Sequence, residues 1–138
     1  MVDHLGLLNK VLVSAANCGD RDGLGLLLER MKRDQSVIPG LIYADQGYTG
    51  EEIRNQVAGY GSRLEVVERA KGWCLIEQKL KTIRQFTVTA KRWIVERTFA
   101  WLSRYRRLSK DYELYPSTSE SWIYLAMSRL MVRRYAKI

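Results

Sequence analysis

The 138-residue chain has only two cysteines, Cys18 and Cys74, one histidine, His4, and two prolines. A zinc site of the Cys/His type needs four such ligands, and three scattered ones do not supply it. A serine–histidine–aspartate triad would have to use His4, which sits in a turn near the start of the chain. One cysteine pair does not build a disulfide framework. Scarce proline, with apolar clusters recurring along the whole length, argues against a disordered chain. The longest uninterrupted apolar run, Trp122–Met127, is far short of the about 20 residues that cross a bilayer. The opening Met1-Val-Asp-His lacks the basic start and apolar block of a signal peptide. The expected compartment is therefore the cytoplasm, with no membrane partner. With so few thiol and imidazole groups, any chemistry falls to carboxylates.

What is present is a hydrophobic fraction of 46% and a charged fraction of 28%, enough apolar surface for one globular domain spanning residues 1–138. The net charge of +8 is unevenly placed. Residues 1–78 carry 9 basic and 11 acidic side chains, whereas residues 79–138 carry 14 and 4. An excess of that size in one segment points to a polyanion, and nucleic acid is the usual one; the plainer alternative is a solvated, soluble face.

The order of patterns predicts an α/β domain. Val11-Leu-Val reads as a strand, and Asp20 or Asp22 as the cap of a helix over 24–33. Leu41-Ile-Tyr-Ala-Asp45 follows Pro39-Gly40 as a short strand buried on both faces. Gln46–Gly50 is a turn, Glu51 and Glu52 open a second helix, and Arg63–Val67 alternates like a strand. Residues 68–90 mix turn, helical and strand signals. Lys91 to about Leu108 has helical periodicity, and Ser117 with Glu120 reads as a capping box opening a last helix through Trp122, Ala126, Leu130 and Arg134.

On a helical wheel, Ile94, Val95, Trp101, Leu102, Tyr105 and Leu108 share one sector with Thr98 inside it. Opposite lie Arg92, Glu96, Ala100, Ser103 and Arg107, with Arg97 and Arg104 on the flank. One carboxylate thus stands among four arginines. A surface helix knitted by Arg92 and Glu96 would explain this too, at about 0.3–0.5 kcal/mol. Asp45 adds weight, because it ends a buried strand before a glycine-containing turn, where α/β sheets place functional side chains. A turn-capping aspartate is the alternative. Together, the two acids suit two-metal phosphoryl transfer, with Mg²⁺ or Mn²⁺ held by carboxylate oxygens. Arg92, Arg97, Arg104 and Arg107 would then hold the flanking phosphates without reading sequence. Asp3, Asp20 and Asp22 are weaker candidates for a third ligand, since each has a turn or cap role.

The stretch from Arg92 to Glu113 closely resembles the last catalytic helix of DDE transposases from bacterial insertion sequences, nearest to the insertion-sequence-five group within the insertion-sequence-four type. Val2-Asp-His-Leu-Gly6, Ala15–Gly23, Ala44–Gly50 and Ser119–Met127 agree with it, so the resemblance spans nearly the whole chain. It implies an incomplete RNase H-like domain, with a short mixed sheet packed with helices and two long C-terminal helices. It implies that Asp45 is the second aspartate and Glu96 the glutamate of a three-acid, two-cation site. Arg92 falls on the arginine four residues ahead of that glutamate. Two positions depart from the pattern: Thr89 stands where a tyrosine is frequent, and Ser103, next to Arg104, where a lysine is frequent.

In such proteins the first aspartate lies on a strand upstream of the segment resembling Val2-Asp-His-Leu-Gly6. The chain is therefore expected to be the C-terminal part of a catalytic domain, incomplete alone and marginally stable. Its expected partners are double-stranded DNA, and either the product of an upstream reading frame or a second copy of the chain. The alternatives are a non-catalytic DNA-binding remnant or regulator of transposition, and a stand-alone nuclease using Asp20 or Asp22 as the extra ligand.

Overall fold

A computed structural model describes residues 1–67 and 92–136, without the Arg92 side chain. The ambiguous segment 68–90, with Cys74 and Thr89, and Lys91 lie outside the described residues. Among the described residues, four helices and two strands occur in the order α1 (Asp20–Arg33), β1 (Leu41–Ala44), α2 (Glu51–Ala58), β2 (Arg63–Val66), α3 (Arg92–Leu102) and α4 (Pro116–Tyr135). Short 3-10 turns occupy Gln46–Tyr48 and Arg106–Leu108. Among the described residues no helix is long and apolar enough to cross a membrane.

The two strands pair in parallel, Leu41 opposite Arg63 and Ala44 opposite Val66, with α2 as the crossover between them. Parallel pairing needs such a crossover, since a tight turn cannot return the chain in the same direction. Leu24 and Leu28 of α1, and Ile53 and Val57 of α2, are each four residues apart, so each pair stacks on one helix face. These four close over Ile42 and Leu64 of the strands to form the core. Leu28, Met31 and Val57 are fully buried, and cutting Leu28 or Met31 back to alanine would cost about 2–5 kcal/mol each.

Several expectations are corrected. The sheet among the described residues is two-stranded and parallel rather than mixed. Val11–Val13 is not a strand: the Val11 amide donates to the Tyr124 hydroxyl and the Val13 amide to Glu120, so side chains of α4 take the bonds a ladder would have used. Helix α1 starts at Asp20, four residues earlier than the apolar pattern begins. Gly19 is its N-cap, and Asp20 and Asp22 lie inside the first turn, where they favour the helix dipole without capping it.

The long helix expected to reach Leu108 ends at Leu102. Tyr105 is extended there, at φ −88° and ψ 120°, and its hydroxyl donates to the Ala126 carbonyl 3.1 Å away on α4. Tertiary anchoring of Tyr105 outweighs continued helical periodicity. The Ser117–Glu120 capping box also does not form. Pro116 at the first helical position moves the N-cap to Tyr115, and Glu120 turns inward to other partners.

Candidate functional site

Asp45 follows β1 directly and caps the 3-10 turn, its Oδ1 accepting the Gly47 amide at 3.1 Å. Gly47 leaves room for two acids close beside it. A Cβ there would come within 2.8 Å of Asp20 Oδ2 and 3.3 Å of Asp45 Oδ1. The same glycine therefore marks where the first residue of α1 and the end of β1 bring two carboxylates together. Arg21 holds this turn from the other side, its Nε donating to the Gly47 carbonyl at 3.4 Å.

Tyr48 reports the electrostatics of the place. Partial burial pushes its phenol above the ordinary value, and the negative charges of Asp20 and Asp45 push it further. Like charges gathered at one point make a region that favours a cation.

Glu96 is exposed on α3. Glu96, Asp45, Asp20 and Tyr48 all line one cavity of about 600 Å³, floored by apolar side chains that include Leu24, Phe99 and Leu102. The structure thus places the two acids singled out from sequence on the walls of a common cavity and adds Asp20, which sequence had offered chiefly as a cap. The missed signal was Gly47, a small residue in the turn after the strand. Asp22 lies outside this cavity and instead approaches Gly19. Asp3 is spent on the first turn, accepting the amides of Leu5 and Leu7.

The donor set of Asp45, Glu96 and Asp20 is all carboxylate oxygen, which fits Mg²⁺ or Mn²⁺ in kind. It does not amount to a closed cage: among the described residues, no three histidine, cysteine, aspartate or glutamate side chains are grouped closely enough to hold a metal ion.

The arginines divide by role. Arg97 lies over Trp93 at 4.4 Å and over Trp101 at 4.8 Å from the ring centroids, and donates to the Leu5 carbonyl at 2.6 Å. Its Nε is buried without a hydrogen-bond partner among the described residues. Arg107 makes a 2.6 Å ion pair with Glu113 and lies 5.3 Å from the Trp122 ring centroid. Arg104 is exposed and pairs with no acid among the described residues. The Arg92 side chain lies outside the described residues.

Thr98, next to Arg97, completes the attachment of α3 to the first turn. Its hydroxyl donates to the Gly6 carbonyl at 2.7 Å, and Gly6 sits at φ +76°. The turn passes so near α3 that a Cβ at Gly6 would meet Thr98 Oγ1 at 3.0 Å.

No curated protein and no solved structure matches the chain. A family model for the transposase DDE domain matches residues 1–131, which takes in β1, α3 and all the acids described above. By that match the chain belongs to the family of transposase DDE domains.

Proposed function

We propose that the chain serves DNA transposition as part of an insertion-sequence transposase of the insertion-sequence-five group, with an RNase H-like catalytic domain. In this reading Asp45 and Glu96 hold divalent cations against a phosphodiester of double-stranded DNA. The observation that carries it is the common cavity lined by Asp45 and Glu96, residues 51 positions apart in the sequence.

A bound Mg²⁺ or Mn²⁺ would polarise the phosphodiester and favour deprotonation of the attacking water or hydroxyl. The chain's own contribution is placement. The turn at Gly47 fixes the Asp45 carboxylate through one oxygen and leaves the other for a ligand. Arg104 and Arg92 are the arginines left to supply positive charge for DNA phosphates. Arg97 and Arg107 are read instead as residues that fix α3 and the segment after it, a change from the role their position on the wheel suggested.

Two carboxylates are fewer than a two-cation site uses. The resemblance implies a third acid that would complete the set, and the protein is expected to act at DNA. A second reading, a stand-alone metal-dependent nuclease, draws on Asp20, whose carboxylate meets that of Asp45 across Gly47.

The deciding experiment measures nicking of supercoiled DNA in Mg²⁺ and Mn²⁺. The chain alone is compared with a fusion that restores the upstream strand. Nicking by the fusion, lost in Asp45→Asn and in Glu96→Gln, supports the transposase reading. Nicking that survives Glu96→Gln overturns the role of Glu96. Cleavage by the isolated chain that is lost in Asp20→Asn supports the second reading. Salt-sensitive DNA binding without cleavage in any form would make the chain a DNA-binding regulator and overturn the catalytic reading.

A further inference from the structure

Helix α4 contains one acidic residue, Glu120, and that carboxylate is buried against Arg30 of α1. The charge α4 shows to solvent is therefore entirely positive, from Arg129, Arg133 and Arg134. The segment 103–110 that lies along it is also free of acids and carries Arg104, Arg106, Arg107 and Lys110.

Two contacts fix how these basic residues come together. Tyr105 reaches the Ala126 carbonyl at 3.1 Å, and Trp101 carries the Arg134 guanidinium at 4.2 Å from its ring centroid. Arg129 and Arg133 lie on α4 between these two anchors in the sequence. Trp122, Ala126, Arg129 and Arg133 recur at helical spacing, so they form one stripe along α4. Arg129 and Arg133 are about 6 Å apart along the axis. Both are exposed and pair with no acid among the described residues. The stripe is on a different face of α4 from Ile123, the α4 residue that lines the acidic cavity.

We propose that Arg129 and Arg133 form a second DNA contact, which grips the phosphate backbone of duplex away from the acidic cavity. The choice of DNA as the polyanion rests on the transposition reading above; the surface itself rests on the acid-free stripe. A phosphate track of this kind would hold flanking duplex and set its direction, leaving the acids to meet a single phosphodiester.

The test is binding of the full chain to a random-sequence duplex as a function of salt, without divalent cations. Removing one arginine that neutralises a phosphate should flatten the slope of log affinity against log salt by about 0.9. The Arg129→Gln/Arg133→Gln variant should therefore bind with a slope shallower by about 1.8, and Arg129→Lys/Arg133→Lys should restore most of it. Unchanged melting and circular dichroism of the variants are expected, since neither side chain has an acidic partner among the described residues. An unchanged slope in the glutamine variant overturns the proposal, as does tighter binding of single-stranded DNA or anionic vesicles than of duplex. Cation binding at the acidic cavity is read separately, from the Tyr48 phenol, so failure of the transposition chemistry and failure of this surface give different results.

Discussion

Arg30 and Glu120, ninety residues apart in the chain, form a 2.7 Å ion pair in which the Glu120 side chain is only 5% exposed. Glu120 also accepts the Val13 amide at 3.0 Å, so one carboxylate ties together α1, α4 and the segment before α1. Removing one partner of such a pair strands a buried charge and costs about 3–5 kcal/mol. Because Arg30 retains some solvent contact, Arg30→Ala is expected near the lower end. Glu120→Gln, which keeps an acceptor for Val13, should cost about 1–2 kcal/mol. Denaturant unfolding of the two single variants and the double variant closes a cycle; full additivity would show that the pair is not coupled.

The Tyr48 phenol offers a spectroscopic view of the acidic cavity. Burial and the charges of Asp20 and Asp45 raise it above its ordinary value of 10.0. Its folded form therefore holds the proton longer than the unfolded chain does, and stability falls as pH rises from 10.0 through the folded value. Ultraviolet titration, corrected by subtracting Tyr48→Phe, should show the phenol moving down in Asp20→Asn and in Asp45→Asn. Divalent cation bound at these acids should move it the same way. A titration indifferent to both substitutions would separate Tyr48 from the acids.

At the acid end, Asp34 is the group to watch. Its hydrogen bond from Lys10, with the nearby Lys10 and Arg33 charges, holds its carboxyl below the ordinary 3.8. A depressed folded value gives stability that is present above 3.8 and is lost as pH falls through the folded value. Thermal melts of wild-type protein and Asp34→Asn should therefore converge below that range and diverge above it. Parallel curves at all pH would remove the Lys10 contact from the acid response.

Gly6 is expected to be intolerant of substitution. Gly6→Ala combines a positive φ with contacts of 3.0 Å to Thr98, 3.1 Å to Arg97 and 3.2 Å to Trp101. Strain of this kind costs about 1–3 kcal/mol. Thr98→Val, similar in shape but unable to donate to the Gly6 carbonyl, should destabilise by about 1 kcal/mol. Unfolding measurements showing Gly6→Ala as stable as wild type would contradict the close approach.

The helices and strands with strong local signals are legible in the amino-acid order alone. β1 and β2 stand out as short apolar or alternating runs, and α2 from its paired leading glutamates. Three of the errors share a cause: a side-chain contact between distant elements displaced a local role. Tyr124 and Glu120 satisfied the amides around Val11, Tyr105 left the helical path to reach Ala126, and Glu120 abandoned its cap for Arg30. The acids of the candidate site could be named because strand-end and helix-face positions are local properties. Their meeting with Asp20 could not, because it depends on how α1 lies against the turn at Gly47. For the arginines, spacing located the charges, while the indoles that capture Arg97 became apparent only in three dimensions.

Arg97 and Thr98 follow Glu96 immediately and grasp two successive carbonyls, those of Leu5 and Gly6. Adjacent helical residues point about 100° apart, so gripping one loop with both fixes the helix in rotation as well as in position. Rolling α3 by a single residue would break both attachments at once. The azimuth of Glu96 is thereby indexed to the first turn of the chain, and a change at Leu5 or Gly6 should be felt as a misaimed carboxylate.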